Sequence, residues 1–209
     1  WPDAVIGGTD SLQCFKSPGN MSPIRFTPGG TRNIYRTADD FVLGDFTGDG
    51  RPDLVTLQRS YPGRLTLSSG LGNGAFGPSQ DIPCPNSETV AAAAEDLNWD
   101  GRLDLILINE SQGASVRLLA GHGDGTFASP VSYPTGDPPS AVAVADMNRD
   151  GRPDVVTASR STGTVSILFG AAGPSFAAPL VLSTAPSPVQ VQLADIDTDG
   201  DLDIVTTND

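Results

Sequence analysis

One nine-residue segment occurs four times in the chain and constrains its fold more than any other feature. The copies are Asp45-Phe-Thr-Gly-Asp-Gly-Arg-Pro-Asp53, Asp96-Leu-Asn-Trp-Asp-Gly-Arg-Leu-Asp104, Asp146-Met-Asn-Arg-Asp-Gly-Arg-Pro-Asp154 and Asp195-Ile-Asp-Thr-Asp-Gly-Asp-Leu-Asp203. Their first aspartates stand 51, 50 and 49 residues apart. A regular period of this size is the length of one four-stranded blade or an equivalent supersecondary unit, and units of this kind bury their faces only by stacking on neighbours.

The remainder of each period also recurs. A short run precedes each segment (41–44, 91–95, 141–145 and 189–194) and reads as a first strand; 53–57, 104–108, 154–158 and 203–207 read as second strands, mostly rich in branched residues. Third strands are expected at 64–68, 115–120 and 164–170. Each leads into a Gly-rich turn closed by Phe76, Phe127 or Phe176, which is expected to open a fourth strand. Ala91 to Ala94 favour helix by propensity, but they occupy the slot filled by Ala141-Val-Ala-Val-Ala145, so a strand is predicted there. Small residues suit a first strand that lines a crowded central axis.

The expected architecture is therefore all-β: a β-propeller of roughly 50-residue, four-stranded blades, present as a partial array of four to five. The 209 residues form one propeller region with repeats at 1–40 (partial), 41–90, 91–140, 141–188 and 189–209 (partial). Trp1-Pro2-Asp3 aligns with Arg51-Pro52-Asp53, and 22–26 resembles 129–133, so residues 1–40 should supply strands two to four of a blade. Wrapping the C-terminal strands onto that blade would duplicate strand two. A piece of a longer array fits better than a closed four-blade ring, and about seven such blades would take roughly 350 residues.

The segment's chemistry points to a hard cation. Calcium takes about six to eight oxygens, and acids at alternate positions of a tight loop can wrap oxygens around one point. Positions 1, 3, 5 and 9 offer Asp45, Thr47, Asp49 and Asp53; Asp96, Asn98, Asp100 and Asp104; Asp146, Asn148, Asp150 and Asp154; and Asp195, Asp197, Asp199 and Asp203. Position 7 (Arg51, Arg102, Arg152, Asp201) would give a backbone carbonyl, so its side chain is free to vary. Glycine at position 6 (Gly50, Gly101, Gly151, Gly200) permits the sharp turn. About four calcium sites are expected, the first weakest because Thr47 is a weaker neutral ligand and the fourth tightest if charge count dominates. Magnesium prefers a stricter octahedron with retained waters, and zinc prefers His or Cys. A single Asp/Gly-rich stretch is commonly only a solvated turn; four in phase are not explained that way. An EF-hand would need a Glu at position 12 and flanking helices, but Thr56, Leu107, Thr157 and Thr206 stand there, inside strand runs.

Composition narrows the partners. A formal charge of −13 disfavours nucleic acid and anionic membrane surfaces, both of which select basic faces. Four divalent cations would offset more than half of that charge. The apolar runs are far shorter than the roughly twenty residues of a spanning helix, so no membrane insertion is expected. Cys14 and Cys84 are too few for a disulfide scaffold or a Cys-type zinc site, though they can pair in an oxidising compartment.

The metal segments, their branched second strands and the Gly-rich turns ending in Phe76, Phe127 and Phe176 resemble the FG-GAP/VCBS repeat family across the whole chain. That family forms the blades of integrin α-subunit propellers and of related secreted bacterial and fungal proteins. The resemblance implies that calcium is structural, seated in the loop between first and second strands. It also implies a secreted, extracellular module for adhesion or for binding a glycan or protein, or an accessory region of a larger secreted enzyme. Further blades of a parent chain or a second copy are the other partners to expect. Trp99, at the outward position 4, is a candidate for stacking on a sugar, although a lone rim tryptophan is more often packing. No catalytic residue is predicted: His122, the single histidine, lies in a Gly-rich turn, and no serine or cysteine has an evident base partner.

Overall fold

In a computed structural model the described residues are 4–8, 11–15, 24–25, 40–58, 63–72, 74–84, 89–109, 114–173 and 175–209. Trp1, Asp3, Ser22, Pro23 and Phe26, on which part of the N-terminal alignment rests, lie outside them. The described residues form seventeen strands and no helix. The N-terminal sheet pairs β1 (Ala4–Gly8), β2 (Ser11–Phe15) and β3 (Ile24–Arg25). The first blade is β4 (Asp40–Gly44), β5 (Asp53–Gln58), β6 (Arg64–Gly70) and β7 (Phe76–Asp81). The second is β8 (Thr89–Glu95), β9 (Asp104–Asn109), β10 (Ser115–Leu119) and β11 (Val131–Pro134). The third is β12 (Ala141–Ala145), β13 (Asp154–Ser159), β14 (Thr164–Leu168) and β15 (Leu180–Ser183). The fourth contains β16 (Pro188–Ala194) and β17 (Asp203–Asn208).

Within every sheet, strands follow chain order and pair antiparallel. The 91–94 alanines are in β8, so sheet pairing overrides their helical propensity. The Phe-opened fourth strand holds only in the first blade, where β7 starts at Phe76. Phe127 and Phe176 instead make isolated bridges to Gly121 and Gly170, and regular pairing resumes at Val131 and Leu180. Pro130 and Pro179, with no N–H to donate, occupy the gap.

The inner second strands, β9 and β13, are buried along their whole length because both of their faces meet another blade. On β9, Leu105 and Leu107 pack with Val55, Leu57 and Leu67 of the first blade. Ile106 and Ile108 pack with Val155 and Leu168 of the third. On β13 the next pair, Val156 and Ala158, meets Val191 of the fourth. Each such side chain removed from water contributes on the order of 1.5–3 kcal/mol. The core of this molecule thus lies in the seams between sheets, a layout that holds consecutive blades, and so consecutive hairpin loops, in fixed relation.

Candidate metal centre

Each nine-residue segment is the hairpin connection between the first and second strands of its blade. The last residue of the first strand pairs with the position-9 aspartate: Gly44 with Asp53, Glu95 with Asp104, Ala145 with Asp154 and Ala194 with Asp203. Position 12 falls within β5, β9, β13 and β17, which excludes the helical calcium motif.

The loops fold on their own acids in the same way. The position-1 carboxylate accepts the position-6 N–H at 2.8–2.9 Å in all four, as in Gly50 N to Asp45 Oδ2, and its counterparts at Asp96, Asp146 and Asp195. Asn98, Asn148 and Asp197 at position 3 accept the N–H of position 5. Asp49, Asp100, Asp150 and Asp199 at position 5 accept the N–H of position 7. Gly50, Gly101, Gly151 and Gly200 have φ of 80°, 79°, 83° and 91°. At Gly50 and Gly101 a Cβ would meet nothing within 4 Å, so conformation rather than space selects glycine there.

Position 9 has a structural role of its own. Asp53, Asp104 and Asp154 are fully buried. One oxygen of Asp53 accepts the N–H groups of Phe46 and Thr47, and the other accepts Gly70 N–H at 2.8 Å. Asp104 joins Leu97 to Gly121, and Asp154 joins Met147 to Gly170, in the same manner. The carboxylate therefore clamps the start of the loop to the end of the third-strand segment. The approach is close: a Cβ on Gly70, Gly121 or Gly170 would lie 2.1, 2.1 or 2.6 Å from the carbonyl oxygen of Pro52, Leu103 or Pro153. Burial raises the carboxyls of Asp104 and Asp154 above the usual range, as do the neighbouring loop acids, while the backbone donors pull the other way.

Roles at three further positions were not identified from the sequence. Position 2 carries an apolar plug under the loop: Phe46 and Leu97 are buried, and Phe46 meets Phe127 at 5.9 Å between ring centroids. The signal was an apolar residue at this position in every copy. Position 4 is left-handed like position 6, with φ of 71° at Gly48, 60° at Trp99, 58° at Arg149 and 62° at Thr198. Finally, the position-7 side chains Arg51 and Arg102 lie against the turn glycines Gly72 and Gly123 of their own blades. Arg152 sits beside Gly170, and Asp201 instead pairs with Arg149.

Trp99 is 62% exposed, and its Cη2 lies 3.0 Å from where a Cβ on Gly151 would stand, so the indole edge rests on the following loop. His122 is exposed, and the adjacent Asp124 carboxyl is held below its usual range by the Thr126 hydroxyl and N–H. Cys84 is a free thiol among the described residues, and burial pushes it up; the side chain of Cys14, with which the count of two permits a pairing, lies outside them.

Oxygens of Asp195, Asp197 and Asp203 all lie within 4.8 Å of one another. Carboxylate oxygens keep lone pairs beyond those that accept N–H groups. In the first loop the Thr47 hydroxyl is buried without a hydrogen-bond partner, a condition that is costly unless something else meets the oxygen. An oxygen-only donor set of this kind fits a hard divalent cation such as calcium, with position 9 already tied to the backbone.

Four-stranded antiparallel sheets stacked face to face, each with its acidic loop between first and second strands, define an array of β-propeller blades. A profile of the FG-GAP-like repeat matches residues 45–107, 96–157 and 150–206, and the chain belongs to that family. A search of curated proteins found no match. Among solved structures the chain is similar to BBS1N in complex with ARL6DN, in a lead-soaked crystal. The TM-score is 0.62 and the identity 11%, covering 99% of this chain and 58% of that one. It is also similar to the V. cholerae biofilm matrix protein Bap1, with TM-score 0.51 and 16% identity over 81% of this chain and 28% of that one. The chain thus spans little more than half, or less, of these proteins, and at such identities the likeness concerns fold.

Proposed function

We propose that the chain is a calcium-stabilised, extracellular β-propeller module that binds a glycan or protein and carries out no catalysis itself. The carrying observation is the fourfold loop with oxygen donors only, three of which converge within 4.8 Å in the fourth copy. The residues that would hold the ion are those at positions 1, 3, 5 and 9, with the backbone carbonyl of position 7. Bound there, calcium would neutralise the clustered carboxylates and cross-link the two arms of each hairpin. The chain's own contribution is to pre-form the loop through the position-1, position-5 and position-9 hydrogen bonds. The reading gains support from the biofilm-matrix role in the name of Bap1 and from the protein partner bound to BBS1N.

Thermal unfolding in calcium and in excess chelator tests the calcium part. A ligand that binds only the folded state adds about 2.7 kcal/mol per site at a hundredfold excess over its dissociation constant. A clear rise in melting temperature is therefore expected, and superimposable curves would refute it. Binding to a glycan array or to extracellular proteins that is abolished by chelator tests the remainder.

A further inference from the structure

The four loops are not independent, because position-4 side chains of inner loops lean onto the next loop along the chain. Trp99 of the second loop lies over Gly151 of the third. Arg149 of the third lies over Gly200 of the fourth, its Nη2 standing 2.8 Å from where a Cβ would be, and reaches Asp201 Oδ1 at 2.9 Å. The charge pattern around this contact is singular. In the first three loops position 7 is an arginine; in the fourth it is Asp201, and the cation facing it comes from the preceding blade. The fourth loop is also the most acidic, with Asp195, Asp197, Asp199, Asp201 and Asp203.

We propose that Arg149 is a counter-charge lent by the third loop that sets the divalent-cation affinity of the fourth and holds it below what its five aspartates would otherwise produce. This rests on the calcium reading above. The guanidinium lies against Gly200 and the Asp201 carboxylate, positions 6 and 7 of the fourth loop. A fixed positive charge there opposes a second, doubly charged one. Both side chains of the bridge are more than half exposed, at 56% and 68%, so the bridge itself adds little to folding. Its field on a divalent ion is doubled by the ion's charge. Even in a water-like dielectric, a charge at this range changes affinity on the order of three- to tenfold. Arg149 is carried at φ 58° on a loop held by its own Asp146 and Asp154, so whatever orders the third loop also orders the guanidinium over the fourth.

Calcium titration calorimetry on the full chain, stripped of metal by chelator, tests this with Arg149→Gln, Asp201→Asn and the double variant. Arg149→Gln should tighten one site about three- to tenfold and leave the others unchanged. Asp201→Asn should weaken one site, and the double variant should return close to the wild type. Repeating Arg149→Gln on an Asp195→Asn background should abolish the gain, which locates it in the fourth loop. If the bridge were merely structural, both single variants would weaken binding and lower the melting temperature of the stripped protein. That outcome, or unchanged constants in Arg149→Gln while the wild type binds normally, overturns the proposal and leaves the calcium reading standing. A wild-type chain that takes up no calcium overturns both.

Discussion

The second and fourth blades contain the same loop in different surroundings. In the second blade every residue of β9 is buried, Leu97 is 7% exposed, and Asp104 clamps Leu97 N–H to Gly121 N–H. In the fourth, β17 is only partly covered and Ile196, at the same position as Leu97, is 63% exposed. Asp203 still accepts Ile196 N–H at 3.0 Å, and Gly200 still donates to Asp195. The local hydrogen-bond pattern is therefore a property of the nine residues themselves. What the neighbouring sheet adds is dryness, and with dryness most of the energetic weight of those same contacts.

Paired substitutions turn this comparison into numbers. The largest difference is expected at position 9. Asp104→Ala leaves two backbone N–H groups without an acceptor in a buried setting and should destabilise by about 3–5 kcal/mol. Asp203→Ala frees a group that water can reach and should stay below about 1 kcal/mol. Equal losses in urea unfolding would show that burial does not set the strength of the clamp. Next comes the plug at position 2: Leu97→Ala should lose about 2–4 kcal/mol through transfer and cavity terms, whereas Ile196→Ala should be nearly neutral. A large effect at Ile196 would mean that the fourth blade is covered in solution. The smallest effect is conformational. Thr198 is β-branched, exposed and left-handed at φ 62°, so Thr198→Asn should stabilise by roughly 0.5–1 kcal/mol. Differential scanning calorimetry can resolve that gain, and a loss would show that the Thr198 hydroxyl bond to the Asp197 carbonyl outweighs the strain.

The repeat made most of this architecture readable. Positions of the first, second and third strands inferred from phase alone agree with the sheets to within a residue or two, as at Ala141–Ala145 and Asp154–Ser159, because the hydrophobic pattern and the loop both recur in register, whereas two of the fourth strands start four residues late. What stayed hidden depends on groups distant in sequence. The need for glycine at 70, 121 and 170 comes from a carbonyl oxygen at position 8 of the acidic loop, and the gap after Phe127 shows only once the pairing partners are known. The position-9 acid was identified as a candidate ligand, but its second role, holding Gly70, Gly121 or Gly170, is a tertiary contact that spacing does not announce. Likewise, Arg149 and Asp201 look unrelated until the third and fourth blades are placed side by side.

The siting of apolar clusters at the seams has a consequence for how the molecule comes apart. Leu105 and Ile106 are chain neighbours that belong to different clusters, so peeling away one sheet exposes half of the strand beside it. Unfolding is then a nearest-neighbour process in which loss of one sheet weakens the next, and among the described strands the slowest amide protons to exchange with solvent should be those of β9 and β13.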